Sequence, residues 1–210
     1  MRKVITITIS VFAVIVGIMI YMKCTEKQRK LRFKNIDTNI EDSYLDISYG
    51  TDSADLTVYM FVNYKCKLCR QFLILNLPYI QQKYIDSGYV RFVIKPIEIA
   101  EDKDMMTAIQ LLLCMNQNND ADEINELLIS EPRAVYSDDF RQLVSDIENG
   151  NPNLAECLLS DDYEYIRQNN LLFNKIGSKG TPIFVISKHL YKGYRDINNF
   201  CKIIDYELNN

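Results

Sequence analysis

Tryptophan is absent from this 210-residue chain, and histidine occurs once, at His189. The missing tryptophan carries little functional weight. The scarcity of histidine bears on metal binding, because a structural zinc ion takes four ligands, mostly Cys and His. Of the six cysteines, Cys66 and Cys69 form one close pair, and Cys24, Cys114, Cys157 and Cys201 supply no second. A zinc site is short of ligands, so no metal and no other cofactor is expected. Low-complexity tracts and internal repeats are also lacking, which excludes solenoid and array architectures. The chain from residue 35 onward is poor in basic residues. Residues 1–34 hold eight of the 24 Lys/Arg and one of the 28 Asp/Glu, leaving 16 and 27 for residues 35–210, a net charge of −11. That balance argues against a nucleic-acid partner.

Near the N-terminus a different absence is informative. Val4 to Met22 is a run of 19 residues without a charge. As a helix it would reach roughly 28 Å, close to the thickness of a bilayer core. No A-x-A-like cleavage site follows it, which argues against a removed signal peptide. Lys23 precedes Cys24 where a lipoprotein would carry a small residue. Residues 1–22 are therefore expected to form an uncleaved membrane anchor, and 23–44 a basic and polar linker able to lie against anionic lipid. Arg2 and Lys3 precede the run, and six Lys/Arg follow it within residues 23–34. Taken alone, the positive-inside rule would keep the rest of the chain in the cytoplasm. A long translocated domain can override so short a flank.

What the chain does have is a C-x-x-C, Cys66-Lys67-Leu68-Cys69, just after the apolar, β-prone run Leu56 to Val62. Lys65, Lys67 and Arg70 surround it, which is poor company for buried apolar thiols. Unpaired N–H groups and the dipole at a helix start favour a thiolate on the first sulfur. The pair therefore points to thiol–disulfide exchange. The rest of the pattern is alternately strand and helix. Leu45 to Tyr49 and Leu56 to Val62 read as strands, separated by a turn over 51–55. A helix follows from Cys66 to about Ile85, kinked at Pro78, and then a strand over Val90–Ile94. Residues from about 104 to 175 carry helical spacing, as in Met105, Ala108, Ile109 and Leu112, punctuated by Pro132 and Asn149-Gly150-Asn151-Pro152. Strands over 183–186 and 189–192 follow, with His189 as a surface hairpin residue. A last helix from about Asp196 carries Ile197, Phe200, Cys201, Ile204 and Leu208 on one face, making Cys201 a core residue.

This order, an α/β arrangement with a helical insertion, resembles that of DsbA-like proteins of the thioredoxin superfamily, over about residues 45–208. Phe61 to Cys69 is similar to the family's F-S-D-Y-x-C-P-x-C. Leu77-Pro78 and Tyr84 to Phe92 resemble its L-P helix and second strand, and Leu113-Cys114 its A-L-C helix. Cys157-Leu158, Ile176-Gly177 and Gly180-Thr181-Pro182 resemble its approach to the cis-proline loop. The resemblance implies a thioredoxin-like domain over 45–210. Cys66 is then the exposed nucleophile and Cys69 the resolving thiol. Thr181 and a cis Pro182 present backbone to a substrate peptide. It further implies export, with the domain facing the periplasm or cell exterior. The partners it implies are cysteine-containing exported proteins and a membrane quinone-linked redox protein. Some such proteins carry a second disulfide, which here pairs Cys114 with Cys157; two buried free thiols are the alternative. Lys67 and Leu68 replace the dipeptide that tunes the redox potential, and Asn63 stands where the family often has Asp. The expected activity is that of a membrane-anchored oxidase of client thiols. The alternatives are a reductase or isomerase on the same fold, and a non-catalytic peptide-binding module.

Overall fold

The computed structural model describes residues 14–22, 31–118, 120–160 and 163–210. The chain divides into two compact units, Met1–Lys34 and Asn35–Asn210. In the first, residues 14–22 are helical with exposed side chains. The remainder of the expected anchor, and residues 23–30 of the expected linker, lie outside the described residues. Among the described residues no helix is long and apolar enough to cross a membrane. A short strand, β1 (Phe33–Asn35), spans the boundary between the units.

The expected linker over 23–44 ends sooner than its polarity suggests. Ile36 is buried in an apolar cluster with Phe61, Ile97, Phe173, Ile176, Ile183, Val185 and Leu190, and Ile40 packs against it. The Asp42 carboxylate accepts from the Tyr59 hydroxyl at 2.9 Å and from Arg91 at 2.8 Å. Two isoleucines in a polar stretch are enough to seat residues 36–44 on the domain, where their burial offsets the entropy of ordering them.

In the second unit five strands lie side by side: β2 (Ile47–Tyr49), β3 (Leu56–Val62), β4 (Val90–Pro96), β5 (Ile183–Ile186) and β6 (His189–Lys192). Their order across the sheet is β6-β5-β3-β4-β2. β3 and β4 are parallel with Val62 opposite Pro96, while β5 runs antiparallel to β3 with Phe61 opposite Ile183. The central strands read as continuous apolar runs because both faces of the sheet are covered. On one face Phe72, Phe92, Phe184 and Phe200 pack ring against ring, with centroids 4.7–6.2 Å apart. On the other, Phe173 meets Phe61 at 6.2 Å.

The helix expected over 66–85 is three pieces. α1 (Lys67–Leu75) stops at Asn76, and α2 (Leu77–Ile80) is followed by a π-helical turn over Gln81–Ile85. Asn76 is buried; its Nδ2 donates to the Arg195 carbonyl at 2.8 Å and its Oδ1 accepts from the Tyr194 hydroxyl at 3.3 Å. Those bonds fix the break one residue before α2. Pro78 then falls in the first turn of α2, where its missing N–H costs nothing. The helical insertion contains α3 (Lys103–Asn116), α4 (Asp122–Ser130), a 3₁₀ segment Pro132–Tyr136, α5 (Asp138–Gly150), α6 (Pro152–Ser160) and α7 (Glu164–Lys175). Asp102 and Ser137 cap α3 and α5 by accepting backbone N–H groups. The last helix, α8 (Ile197–Glu207), starts behind the capping Asp196 and buries Phe200, Cys201 and Ile204. His189 is more engaged than a surface hairpin residue: its Nδ1 lies 2.7 Å from the carboxylate of Glu207, which is buried.

Candidate active site

The site forms where three chain segments meet at one end of the sheet. Because β3 and β4 are parallel and β5 is antiparallel to β3, Val62, Pro96 and Ile183 are neighbours at that end. The loop 63–66 follows β3, residues 97–102 follow β4, and Thr181-Pro182 enters β5. Carboxyl ends of parallel strands are where such sheets place their sites. The Ile97 N–H donates to the Val62 carbonyl at 2.8 Å and extends the ladder toward the loop.

Cys66 is the N-cap of α1, with extended backbone, and Cys69 lies one turn in. Cys66 is half-buried and Cys69 is buried. The Arg70 guanidinium donates to the Tyr64 carbonyl at 2.9 Å and ties the helix back to its own loop. Thr181 and Pro182 are joined by a cis peptide bond. The Thr181 carbonyl faces Cys66, 3.4 Å from Sγ. The fold thus brings Cys66, Cys69 and Thr181 together across 115 residues of sequence. Lys67 and Leu68 sit on the exposed rim.

The two sulfurs differ in proton affinity. A hydrogen bond from the Cys69 thiol is the main cause that holds Cys66 down to about 5. Burial opposes this, and the Thr181 hydroxyl and the Cys69 and Leu68 amides at the helix start add to it. The same bond between the sulfurs, and then burial, pushes the Cys69 thiol up. The leading causes for Cys66 are hydrogen-bond donors, with no lysine among them. The lysines beside it therefore do less than their adjacency in sequence suggests.

Lys65 has other partners. Its ammonium lies 2.9 Å from the Glu98 carboxylate and 3.2 Å from that of Asp102. Glu98 is 0% exposed, and Asn63, at the position where the family often has Asp, points its Nδ2 at Glu98 Oε2 at 3.5 Å. The Tyr136 hydroxyl donates to Asp102 Oδ2 at 2.7 Å. Burial works to raise the Asp102 carboxyl, but the bonds from Tyr136, the Met105 amide and Lys65 outweigh it and hold the carboxyl below its usual range. Sequence reasoning missed Glu98, Asp102 and Tyr136. A signal was present for the first: Glu98 is the lone acid within Val90 to Ala100, just past the end of a strand read as central.

Cys114 and Cys157 form a disulfide that links α3 to α6, with sequence separation 43. Among the described residues no cluster of His, Cys, Asp and Glu is suited to a metal ion.

These features can be set beside known proteins. A sequence model described as thioredoxin matches residues 42–206. A protein of Rickettsia prowazekii (strain Madrid E) named "Putative protein-disulfide oxidoreductase" is 25% identical over 198 residues, covering 91% of this chain and 71% of that protein. Among solved structures, Wolbachia pipientis alpha-DsbA1 is similar with a TM-score of 0.66 at 20% identity, over 81% of this chain and 94% of that one. Oxidised BdbD from Bacillus subtilis is similar with a TM-score of 0.62 at 21% identity, over 78% and 92%. From the model match over most of its length, the chain belongs to the thioredoxin family, and it shares its fold with these structures.

Proposed function

We propose that the chain is a membrane-anchored thiol–disulfide oxidoreductase that passes a disulfide from Cys66 and Cys69 to cysteine-containing exported proteins. The observation that carries this reading is the placement of two thiols one helical turn apart, Cys66 half-buried at the start of α1 beside the Thr181 carbonyl and Cys69 buried behind it. In the oxidised protein a client thiolate attacks the Cys66 sulfur. The Cys66–Cys69 bond breaks, its electron pair leaves on Cys69, which takes up a proton, and a client–Cys66 mixed disulfide forms. A second client thiolate then attacks the client sulfur of that bond. Cys66 leaves as a thiolate, which is the better leaving group for its low pKa. Two electrons pass from client to protein, and the client gains one disulfide. Because the released Cys66 anion is stabilised, the reduced protein is favoured and the disulfide is oxidising.

Thr181 and Pro182 offer backbone beside Cys66 to an extended client segment. Lys67 and Leu68, on the rim, form the part of the site that such a segment meets first. The DsbA-like resemblance supports reoxidation by a membrane quinone-linked partner. The uncharged run 4–22 supports the anchor, and the resemblance supports a domain outside the cytoplasm.

Replacing Cys69 by Ala removes the resolving thiol, so Cys69→Ala should accumulate mixed disulfides with client proteins and Cys66→Ala should not. Accumulation on Cys66→Ala instead would reverse the roles. Protease added outside sealed cells should cut the domain; full protection until lysis would place it in the cytoplasm.

A further inference from the structure

Lys65 precedes the attacking sulfur directly, yet its ammonium is bound on two sides by carboxylates. Glu98 is the inner one, fully buried and held in place through both its backbone and its carboxylate. Its backbone N–H donates to Asn170 Oδ1 at 3.0 Å, and its carbonyl accepts from Asn170 Nδ2 at 3.0 Å. Its Oε1 accepts the Ala100 N–H at 3.1 Å, and its Oε2 faces Asn63 Nδ2 at 3.5 Å. Asp102 is the outer one, at the N-cap of α3, and the Tyr136 hydroxyl bonds the same oxygen that Lys65 approaches. A cation next to a thiolate would otherwise be free to serve as its counter-charge.

We propose that Glu98 and Asp102 are positioning residues that hold the Lys65 ammonium off the Cys66 sulfur, and so limit how oxidising the Cys66–Cys69 pair is. The proposal rests on the thiol–disulfide reading of this site and names a control built into it. The buried Glu98 supplies the fixed charge. Asp102 joins the control to the helical insertion, because its orientation depends on Tyr136.

The decisive experiment is a charge-removing series on the full chain: Glu98→Gln, Asp102→Asn, Lys65→Met, and each carboxylate change combined with Lys65→Met. Two readouts are taken, the ultraviolet absorbance of the Cys66 thiolate against pH and the redox equilibrium with glutathione. With Lys65 present, Glu98→Gln should move the thiol–thiolate equilibrium about tenfold toward thiolate. The equilibrium with glutathione should move in the same sense, toward reduced protein. In the Lys65→Met background both effects should vanish. An unchanged titration in Glu98→Gln overturns the proposal. So does an equal shift with and without Lys65, which would mean that Glu98 acts on the sulfur directly. If Glu98→Gln does not fold, Asp102→Asn is judged by the same two criteria, since Asn also caps a helix. The absorbance titration needs no client. Failure of the oxidoreductase reading would instead appear as absence of any exchange with glutathione in the unaltered chain.

Discussion

At the scale of single residues, the account turns on which groups surround each sulfur. Cys66 accepts hydrogen bonds from Cys69, from the Thr181 hydroxyl and from two amides at the start of α1. Its folded pKa is depressed, so the thiolate stabilises the reduced fold fully above about pH 9, and this contribution is lost as pH falls through about 5. The oxidised protein has no such group. The stability of the reduced form relative to the oxidised form should therefore fall on acidification across that window, read from denaturant unfolding of both forms. A difference independent of pH would contradict the assignment. Thr181→Val removes one donor and should raise the Cys66 pKa, followed by thiolate absorbance. The cysteine pair and Thr181-Pro182 were legible in the sequence because each is marked by a local pattern. The joining of Glu98, Asp102 and Tyr136 to Lys65 was not, because nothing local couples residue 65 to residues 98, 102 and 136; only the packing of the folded chain does.

At the scale of elements, strands are more legible in the sequence than helix boundaries. β3, β4 and β5 are short apolar runs bounded by turn residues, and such runs in a covered sheet have few alternatives. The helix after Cys66 kept its apolar spacing through Phe72, Leu73, Leu77 and Ile80, so periodicity saw one helix. The break at Asn76 is imposed by Tyr194 and Arg195, more than a hundred residues later. Gly50 shows a constraint of the same long-range kind. Its φ is +97°, and a Cβ there would sit 2.7 Å from the Val90 carbonyl oxygen. Gly50→Ala should destabilise by about 1–3 kcal/mol, measured by denaturant unfolding; a cost near zero would mean that β2 and β4 part easily. The Cys114–Cys157 bridge closes a loop across the insertion, with sequence separation 43. Replacing both by Ala should cost about 2–4 kcal/mol of stability, while the titration of Cys66 stays unchanged. Equal stability of the two proteins under non-reducing conditions would show that packing of α3 on α6 suffices alone.

At the scale of the whole molecule, each part of the domain has a place in the exchange reaction. The sheet brings three distant segments to one end, the helix start supplies donors to one sulfur, and burial withholds the other. The helical insertion contributes Tyr136 to the ion-pair network beside the site and carries its own disulfide. A bridge of that kind persists in an oxidising compartment. The central claim is that the Cys66–Cys69 pair gives its disulfide away. It is tested most directly by the reduction potential of that pair, obtained from its equilibrium with glutathione in the full chain. The account predicts a potential on the oxidising side of the glutaredoxin range of about −200 to −230 mV. A value near or below the thioredoxin potential of about −270 mV would contradict it and make the chain a reductase.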